Sequence, residues 1–212
     1  NKRSDQPMID KETGIVMIFN GEIYNYIELK KKIINQFNCK FFTNSDTEVV
    51  LKYYKYFGAN CFKEFDGMFA IAIWDPKEEI LILARDKFGE KPLYYSNFKN
   101  RNLNEISFSS NLNSLKKSPG YSHKLNKKSI KSYFENNYVY NNEPFYEASK
   151  QLEAGSYLVF KNNKINIVKY FELEKFFLEN NKNKKLDKNE FEHILDNSVK
   201  SRLVSDVDLG IF

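Results

Sequence analysis

The sequence of 212 residues contains few of the side chains that most often do chemistry. It has two cysteines, Cys39 and Cys61, and two histidines, His123 and His193. Two cysteines do not make a disulfide framework, and their spacing fits no zinc motif. Neither histidine lies near a cysteine in the sequence, so a Cys–His catalytic pair has little support. We therefore expect two unreactive thiols and a cytosolic protein.

Long apolar runs and phosphate-binding motifs are also missing. No stretch approaches the roughly 18 apolar residues of a membrane-spanning helix, and no basic-then-apolar leader is visible. The G-x-x-x-x-G-K-[ST], G-x-G-x-x-G and H-E-x-x-H patterns are absent. The formal net charge of +5 comes from lysines that lie close to acidic residues, which is typical of a solvated surface. We expect neither a membrane nor a nucleic acid as partner, since net charge alone supports an RNA-binding role.

The apolar pattern that is present predicts helices first and antiparallel strands afterwards. Residues 15–19 form a short apolar run typical of a buried strand, and a helix is predicted from Asn25. Ser45 and Glu48 have capping-box spacing for a second helix, which Gly58 should end. Further strands are predicted at 68–74, 80–84, 92–96, 106–110, 156–160 and 165–170. This order is typical of an α+β layered domain.

The C-terminal part of the chain has a different composition. The polar, lysine- and asparagine-rich stretch between Phe171 and Asp187 predicts a linker. A helix is predicted from about Asn189 to Ser205, with a strand following at residues 209–212. The chain has no initiator Met and stops inside this strand, so we expect it to be truncated at both ends.

Two short segments are candidates for a functional site. Asn20 and Gly21 end the first predicted strand, where a carboxamide and the next N–H can act together as an oxyanion hole. Asn-Gly is also common in strand-to-helix turns, which is the structural alternative. Asp46 lies in the first turn of a capped helix, where free N–H groups and the helix dipole favour a carboxylate. The same carboxylate, facing a cleft, can instead hold a substrate ammonium.

A third segment, residues 85–95, reads RDKFGEKPLYY. Its charged residues follow a predicted strand, and its Gly and Pro indicate a defined turn. We interpret it as structural, with an ion pair bracing a tight loop.

In this order the segments resemble the class II glutamine amidotransferases, and specifically the glutamine-hydrolysing asparagine synthetases. The Asn-Gly and SDTE features are shared with other class II members, whereas GEIYNY together with RDxxGxKPLYY is more specific. The resemblance covers nearly the whole chain and is weakest between residues 97 and 143. Its motifs are Gln6-Pro7-Met8, FNGEIYNY (19–26), SDTEVVL (45–51), GMFAIAIWD (67–75), RDKFGEKPLYY (85–95) and SDVDLGIF (205–212).

The resemblance implies an α+β fold, a four-layer α-β-β-α sandwich of the N-terminal-nucleophile hydrolase type. Residues 1–172 would form the glutaminase domain, without its N-terminal segment, and residues 173–187 a linker. Residues 188–212 would supply the first helix and strand of an α/β ATP-pyrophosphatase-like synthetase domain.

The resemblance also assigns roles to four residues. The Asn20 side chain and the Gly21 N–H match the oxyanion-hole pair, which favours that interpretation over the turn. Asp46 matches the residue that binds the α-ammonium of glutamine, and Glu22 lines the same pocket. The family's nucleophile is an N-terminal cysteine whose own α-amine is the base, and residue 1 is asparagine. We therefore expect the 212-residue chain alone to release no glutamate from glutamine.

The implied activity is hydrolysis of L-glutamine to glutamate and ammonia. The parent enzyme would pass ammonia to an aspartyl-adenylate made from L-aspartate and ATP with Mg²⁺, bound outside this chain, and the glutaminase domain would hold no metal. A homodimer is compatible with the resemblance. Glu90 and Asn111 depart from the family pattern, which leaves the acceptor open. The alternatives are an amidotransferase acting on a sugar or peptide carboxylate, and an inactive glutamine-binding module.

Overall fold

The computed structural model describes most of the chain as two antiparallel sheets, the larger of which is covered on one face by two helices. The described residues are 5–100, 103–139, 143–180, 187–203 and 210. The strands are β1 (Met8–Ile9), β2 (Val16–Ile23), β3 (Gly67–Asp75), β4 (Ile80–Arg85), β5 (Tyr94–Asn100), β6 (Leu103–Ser109), β7 (Lys150–Gln151), β8 (Ser156–Lys161) and β9 (Lys164–Lys169). One sheet has the order β1-β2-β3-β4-β8-β9 and the other the order β6-β5-β7.

Helices occur in three parts of the chain. They are α1 (Tyr26–Phe37), α2 (Asp46–Phe57), α3 (Leu112–Leu115), α4 (Lys127–Asn136), α5 (Leu173–Asn180) and α6 (Lys188–Ser201), with a 3₁₀ segment at Gly58–Lys63. The long helices α1 and α2 pack on each other, and α2 also contacts β1 and β2. The short α3 contacts β5 and β6 of the second sheet. Among the described residues, no helix is long and apolar enough to cross a membrane.

Two apolar cores separate the layers, because successive side chains of a strand point to opposite faces. On the helix side, β2 contributes Met17, Phe19 and Ile23 to a core that includes buried residues of α1 and α2. On the other face, Ala70 and Ala72 of β3 belong to the core between the sheets. Their small side chains allow the second sheet to lie close. Asn20, paired with Ala70 across the strands, therefore lies on the face toward the second sheet.

The start and end of α2 largely follow the prediction. Ser45 Oγ accepts from the Glu48 N–H at 3.4 Å, and Gly58 ends the helix with φ of 56°. The reciprocal half of the capping box is different. The Glu48 carboxylate accepts from the N–H groups of Phe42, at 2.9 Å, and Thr43, at 2.6 Å. Glu48 therefore ties the preceding loop to the helix that carries Asp46.

The strands and hairpins predicted between residues 15 and 170 are present, and β2 is longer than expected. The hairpin of β3 and β4 and the hairpin of β8 and β9 are both confirmed. Asn162 and Asn163 connect β8 to β9 with φ of 49° and 60°, the left-handed backbone that two-residue hairpin turns require. The strand predicted at residues 15–19 continues to Ile23, because its pairing with β3 overrides the turn preference of Asn-Gly.

The loop after β4 is braced as expected, although the bracing contacts differ from the prediction. Asp86, which is fully buried, accepts N–H groups from both sides of the loop, including those of Phe88 at 3.1 Å and Glu90 at 2.9 Å. The Arg85 guanidinium donates to the carbonyl groups of Gly89, Lys91 and Leu152. Within residues 85–95, all of which are described, we find no ion pair, because the side chains of Arg85 and Asp86 bond backbone groups instead.

The segment predicted as a linker contains a helix. Helix α5 occupies Leu173–Asn180, the first half of that stretch. Helix α6 was predicted from about residue 189 and is present over Lys188–Ser201, with its apolar side chains Phe191, Ile194 and Leu195 half exposed. The strand predicted at residues 209–212 lies outside the described residues, apart from position 210. The proposed domain boundaries stay predictions.

Candidate functional site

Asn20, Gly21 and Glu22 lie inside β2 and do not form a turn. They pair across the strands with Ala70, Phe69 and Met68, in that order. The strand continues one residue further, to Ile23. The turn interpretation of Asn-Gly is therefore wrong, and its carboxamide and N–H are presented from a regular strand.

Glycine at position 21 is required by the close approach of β3. A Cβ atom at Gly21 would lie 2.0 Å from the Met68 carbonyl oxygen, and the backbone has φ of 156°. A Cβ at Gly67 would in the same way lie 2.2 Å from the carbonyl oxygen of Glu22. Two glycines thus allow the backbones of β2 and β3 to approach closely at this point. Any L side chain at position 21 would push the strands apart.

The pairing of β3 with its other neighbour determines where the Gly21 N–H points. Phe69 donates its N–H to the Asp86 carboxylate at 3.2 Å and accepts from the Asp86 N–H at 2.9 Å. Both backbone groups of Phe69 are therefore directed away from β2. In an antiparallel ladder such a residue forms a non-hydrogen-bonded pair with the residue opposite. The Gly21 N–H and C=O consequently point away from β3, toward the open edge of β2.

The backbone groups of the other odd-numbered residues of β2 point to the same edge and have hydrogen-bond partners there. Met17 pairs with Met8 of β1. Phe19 donates its N–H to Gln6 Oε1 at 2.6 Å and accepts from Gln6 Nε2 at 2.8 Å. Ile23 donates its N–H to Asp46 Oδ2 at 3.1 Å. Between the last two we find no acceptor for the Gly21 N–H within the described residues.

The Asn20 side chain borders a cavity between the two sheets. This cavity has a volume of about 340 Å³, and its lining includes Gln6, Ile18, Asn20 and Ser110. Asn20 Nδ2 donates to Ser110 Oγ at 3.3 Å. Asn20 is exposed, so its amide is accessible from this side. A polar donor at an apolar cavity wall can fix the orientation of a small ligand.

Asp46 lies at the end of β2 and not in this cavity. Besides the Ile23 N–H, its carboxylate accepts the Thr47 N–H at 2.7 Å. Burial raises the pKa of Asp46 above its ordinary value of 3.8, and the hydrogen bonds from Ile23 and Thr47 oppose that shift only in part. The ionised carboxylate is therefore incompletely compensated by the protein.

Glu22 is exposed on the strand between Gly21 and Ile23 and does not line the cavity. The structure thus gathers the four predicted site residues along β2 and its end. Asn20 projects from one face, the Gly21 N–H lies at the edge, and Asp46 meets the edge two residues further on. The N–H groups of Gly21 and Ile23 are about 7 Å apart, because a strand rises by about 3.4 Å per residue.

The cysteines and histidines lie away from this arrangement. Cys61 is fully buried, and burial raises the pKa of its thiol well above the ordinary value. Cys39 is half-buried, and its thiol lies 3.7 Å from the carbonyl oxygen of the next residue. His123 packs against aromatic rings, and His193 contacts Asn197 on α6. None of them borders the cavity of Asn20.

Two residues near the site received no role from the sequence. Gln6 belongs to a recognised motif, but its bonds to Phe19 join positions 13 residues apart. Ser110 is 90 residues from Asn20. The spacing of apolar residues along the sequence gives no information about contacts between residues so far apart. The proximity of Gln6 to β1 is the one signal that points to it, since it precedes that strand by two residues.

Comparison with known proteins extends this picture. Residues 1–171 match the family model described as glutamine amidotransferase domain. The chain is 37% identical over 202 residues to a putative asparagine synthetase [glutamine-hydrolyzing] of Methanocaldococcus jannaschii, covering 93% of this chain and 37% of that protein. It is 32% identical over 218 residues to asparagine synthetase [glutamine-hydrolyzing] 2 of Bacillus subtilis, covering 98% and 28%. The chain thus spans about a third of the length of these curated relatives.

A solved structure supports the fold. The allosteric regulatory enzyme of purine biosynthesis aligns with a TM-score of 0.51 and 19% identity, over 79% of this chain and 31% of that chain. The predicted α+β fold, with stacked antiparallel sheets of the N-terminal-nucleophile type, is confirmed, as is the resemblance stated from the motifs. The ATP-pyrophosphatase-like tail stays a prediction.

The raised pKa of Asp46 predicts a specific dependence of stability on pH. The folded protein holds a proton on Asp46 at pH values where the unfolded chain has released it. Stability from this group is therefore lost as pH rises from 3.8 through the raised folded-state pKa. We expect the wild type to lose unfolding free energy relative to Asp46→Asn over that window, as measured by urea unfolding at a series of pH values. A wild type that gains stability relative to the variant with rising pH would contradict this.

Proposed function

We propose that this chain, which belongs to the glutamine amidotransferase domain family, binds glutamine along the outer edge of β2 and supplies the oxyanion hole for its hydrolysis. The observation that carries the proposal is the Gly21 N–H, directed to an open edge between two satisfied neighbours. One neighbour, Ile23, is bonded by the Asp46 carboxylate. A donor and an anion on one strand edge match the two ends of a glutamine molecule.

The spacing of these groups suits that substrate. The N–H positions of Gly21 and Ile23 are about 7 Å apart along the strand. In glutamine, four covalent bonds of about 1.5 Å each separate the amide carbon from the α-nitrogen. Once hydrogen-bond lengths are included, an extended glutamine can reach from Gly21 to the carboxylate of Asp46. A shorter amino acid amide would leave one end unbound.

At the amide end, we assign the developing negative charge to two donors. Asn20 Nδ2 and the Gly21 N–H come from consecutive residues of a strand that is held by β3. Donors fixed before the reaction stabilise an oxyanion without reorganising when the charge forms. The Ser110 hydroxyl, 3.3 Å from Asn20 Nδ2, would hold this amide while no substrate is bound.

At the other end, Asp46 provides the charge that an α-ammonium group needs. Its carboxylate is partly desolvated and bonded by neutral N–H donors, so a bound cation would gain a full opposite charge. Glu22, exposed on the adjacent strand position, adds a second negative charge to this end. The same desolvation that costs stability in the free protein thus strengthens substrate binding.

The nucleophile of the reaction is assigned to neither thiol of this chain. Cys61 is fully buried with a raised pKa, and Cys39 does not border the cavity of Asn20. A thiol kept protonated by burial is a poor nucleophile. In the complete protein we assign this role to an N-terminal cysteine with its own α-amine as base, as the family resemblance implies.

The complete protein is proposed to be an asparagine synthetase in the cytosol. Both curated relatives described above carry that name. The ammonia would then reach an aspartyl-adenylate made from L-aspartate and ATP with Mg²⁺. None of the described residues is assigned to ATP or Mg²⁺. Residues 173–187 are proposed as linker and 188–212 as the start of the synthetase domain, and a homodimer is compatible with this scheme. A sugar or peptide carboxylate as acceptor remains the alternative outcome of an acceptor assay.

The oxyanion role of Asn20 is tested by Asn20→Ala in the complete protein. We expect turnover of glutamine hydrolysis to fall by roughly 10²–10³, the usual loss for one oxyanion donor. The Michaelis constant should change little, because the charge appears only in the transition state. Glutamate release measures both parameters, and synthesis from free ammonia should be unaffected. Asn35→Ala, on the exposed face of α1, is the matched control.

An Asn20→Ala protein with normal turnover and a raised Michaelis constant would make Asn20 a substrate contact only. A complete wild-type protein that binds glutamine and releases no glutamate would instead support the inactive binding module.

The charge of Asp46 is tested by Asp46→Asn. Asparagine keeps the size and one acceptor but removes the charge, so the substrate ammonium loses its partner. We expect kcat/KM for glutamine to fall by about 30-fold or more, corresponding to about 2–5 kcal/mol for a desolvated charge pair that loses one member. Asp66→Asn, at an exposed position directly before β3, should leave kcat/KM unchanged. Normal glutamine efficiency in Asp46→Asn would reduce Asp46 to a residue that only stabilises its helix.

A further inference from the structure

Beside the candidate site, the side chain of Gln6 makes the hydrogen bonds that the backbone of a paired strand would otherwise make. β1 pairs with β2 at two positions, and Met8 lies opposite Met17. Continued in the same antiparallel register, the residue opposite Phe19 would be Gln6. The chain does not continue β1 there, since β1 begins at Met8. Instead the Gln6 side chain itself makes both backbone-like bonds to Phe19, at 2.6 and 2.8 Å.

We propose that Gln6 is a positioning residue for the Asn20–Gly21 donor pair, an inference that rests on the proposed glutaminase function. Its carboxamide offers one donor and one acceptor, which is what the N–H and C=O of Phe19 require. By satisfying both, it holds the peptide plane that leads directly into Asn20. It also borders the same cavity as the Asn20 side chain.

The position of Gln6 explains why the edge is open at one residue. The carboxamide satisfies Phe19, the Asp46 carboxylate satisfies Ile23, and Gly21 lies between them. A backbone strand in place of Gln6 would continue along the edge and consume the Gly21 N–H as well. A side chain bonds the N–H and C=O of Phe19 and does not extend along the edge to Gly21. Gln6 thus fixes the strand while leaving the catalytic donor accessible.

The catalytic consequence follows from the precision that an oxyanion hole needs. Misplacement of reacting groups by about 1 Å can cost 10²-fold in rate. Without Gln6, Phe19 would have an unpaired N–H and C=O at a strand edge, and solvent would compete for both. The strand would retain its bonds to β3 and its buried side chains, so folding should persist while the alignment of Asn20 and Gly21 loosens.

The test is Gln6→Met in the complete protein, because methionine keeps the length of the side chain and removes both hydrogen bonds. We expect kcat for glutamine hydrolysis to fall about tenfold, with KM changed by less than about twofold. Gln36→Met, on the exposed surface of α1, is the matched control and should behave as wild type. An unchanged kcat in Gln6→Met would overturn the role of Gln6 and leave the proposed function intact. A wild type that hydrolyses no glutamine would overturn both.

A second variant separates positioning from general stability. In Gln6→Glu, the ionised carboxylate can accept the Phe19 N–H but repels its carbonyl oxygen. The protonated carboxyl regains a donor and so restores the pattern of glutamine. We therefore expect kcat of Gln6→Glu, relative to wild type at the same pH, to rise as pH falls through the pKa of the new side chain. A ratio that does not change with pH, while thermal stability is normal, would overturn the hydrogen-bond role.

Discussion

The antiparallel pairing of β2 with β3 decides which backbone groups of the site are available for chemistry. Because both backbone groups of Phe69 bond to Asp86, the Gly21 N–H is directed to the opposite edge. The glycines at positions 21 and 67 allow this pairing to be close, and any Cβ there would collide with a carbonyl group. The buried Asp86 also bonds the N–H groups of the loop that follows it. One carboxylate therefore links the turn after β4 to the orientation of the Gly21 N–H, the proposed oxyanion donor.

The backbone groups along the outer edge of β2 have a different hydrogen-bond partner at each position. A strand edge with unpaired groups is ordinarily a liability, and proteins cover it. Here coverage comes from a short strand, a carboxamide and a carboxylate, in that order, and the Gly21 N–H is left without an acceptor in the described part of the chain. Desolvation of Asp46 lowers the stability of the free protein at neutral pH. The proposed binding of a substrate cation by Asp46 would therefore come with a cost in stability, as is common at functional sites.

The sequence predicted those features that depend on neighbouring residues. The cap at Ser45, the end of α2 at Gly58 and the Asn162–Asn163 hairpin all follow from local backbone preferences, and all are present. Local preference failed at Asn20-Gly21, where tertiary pairing extended β2 through a sequence typical of turns. Helix α5 was not predicted, because the stretch was judged by its overall composition, whereas Leu173–Asn180 contains four apolar residues at positions that suit a helix. The Gln6–Phe19 bonds were beyond prediction, because a polar side chain can bond any edge that the fold brings to it.

Amide hydrogen exchange along β2, measured by NMR on the protein without ligand, tests the central claim most directly. The claim is that Phe19 and Ile23 have acceptors at the strand edge and that Gly21 has none. We predict a protection factor for Gly21 at least tenfold lower than for Phe19 and Ile23, and a rise at Gly21 when glutamate is added. Equal protection at the three positions before addition of glutamate would contradict the account, because the Gly21 N–H would then be bonded and unable to serve as an oxyanion donor.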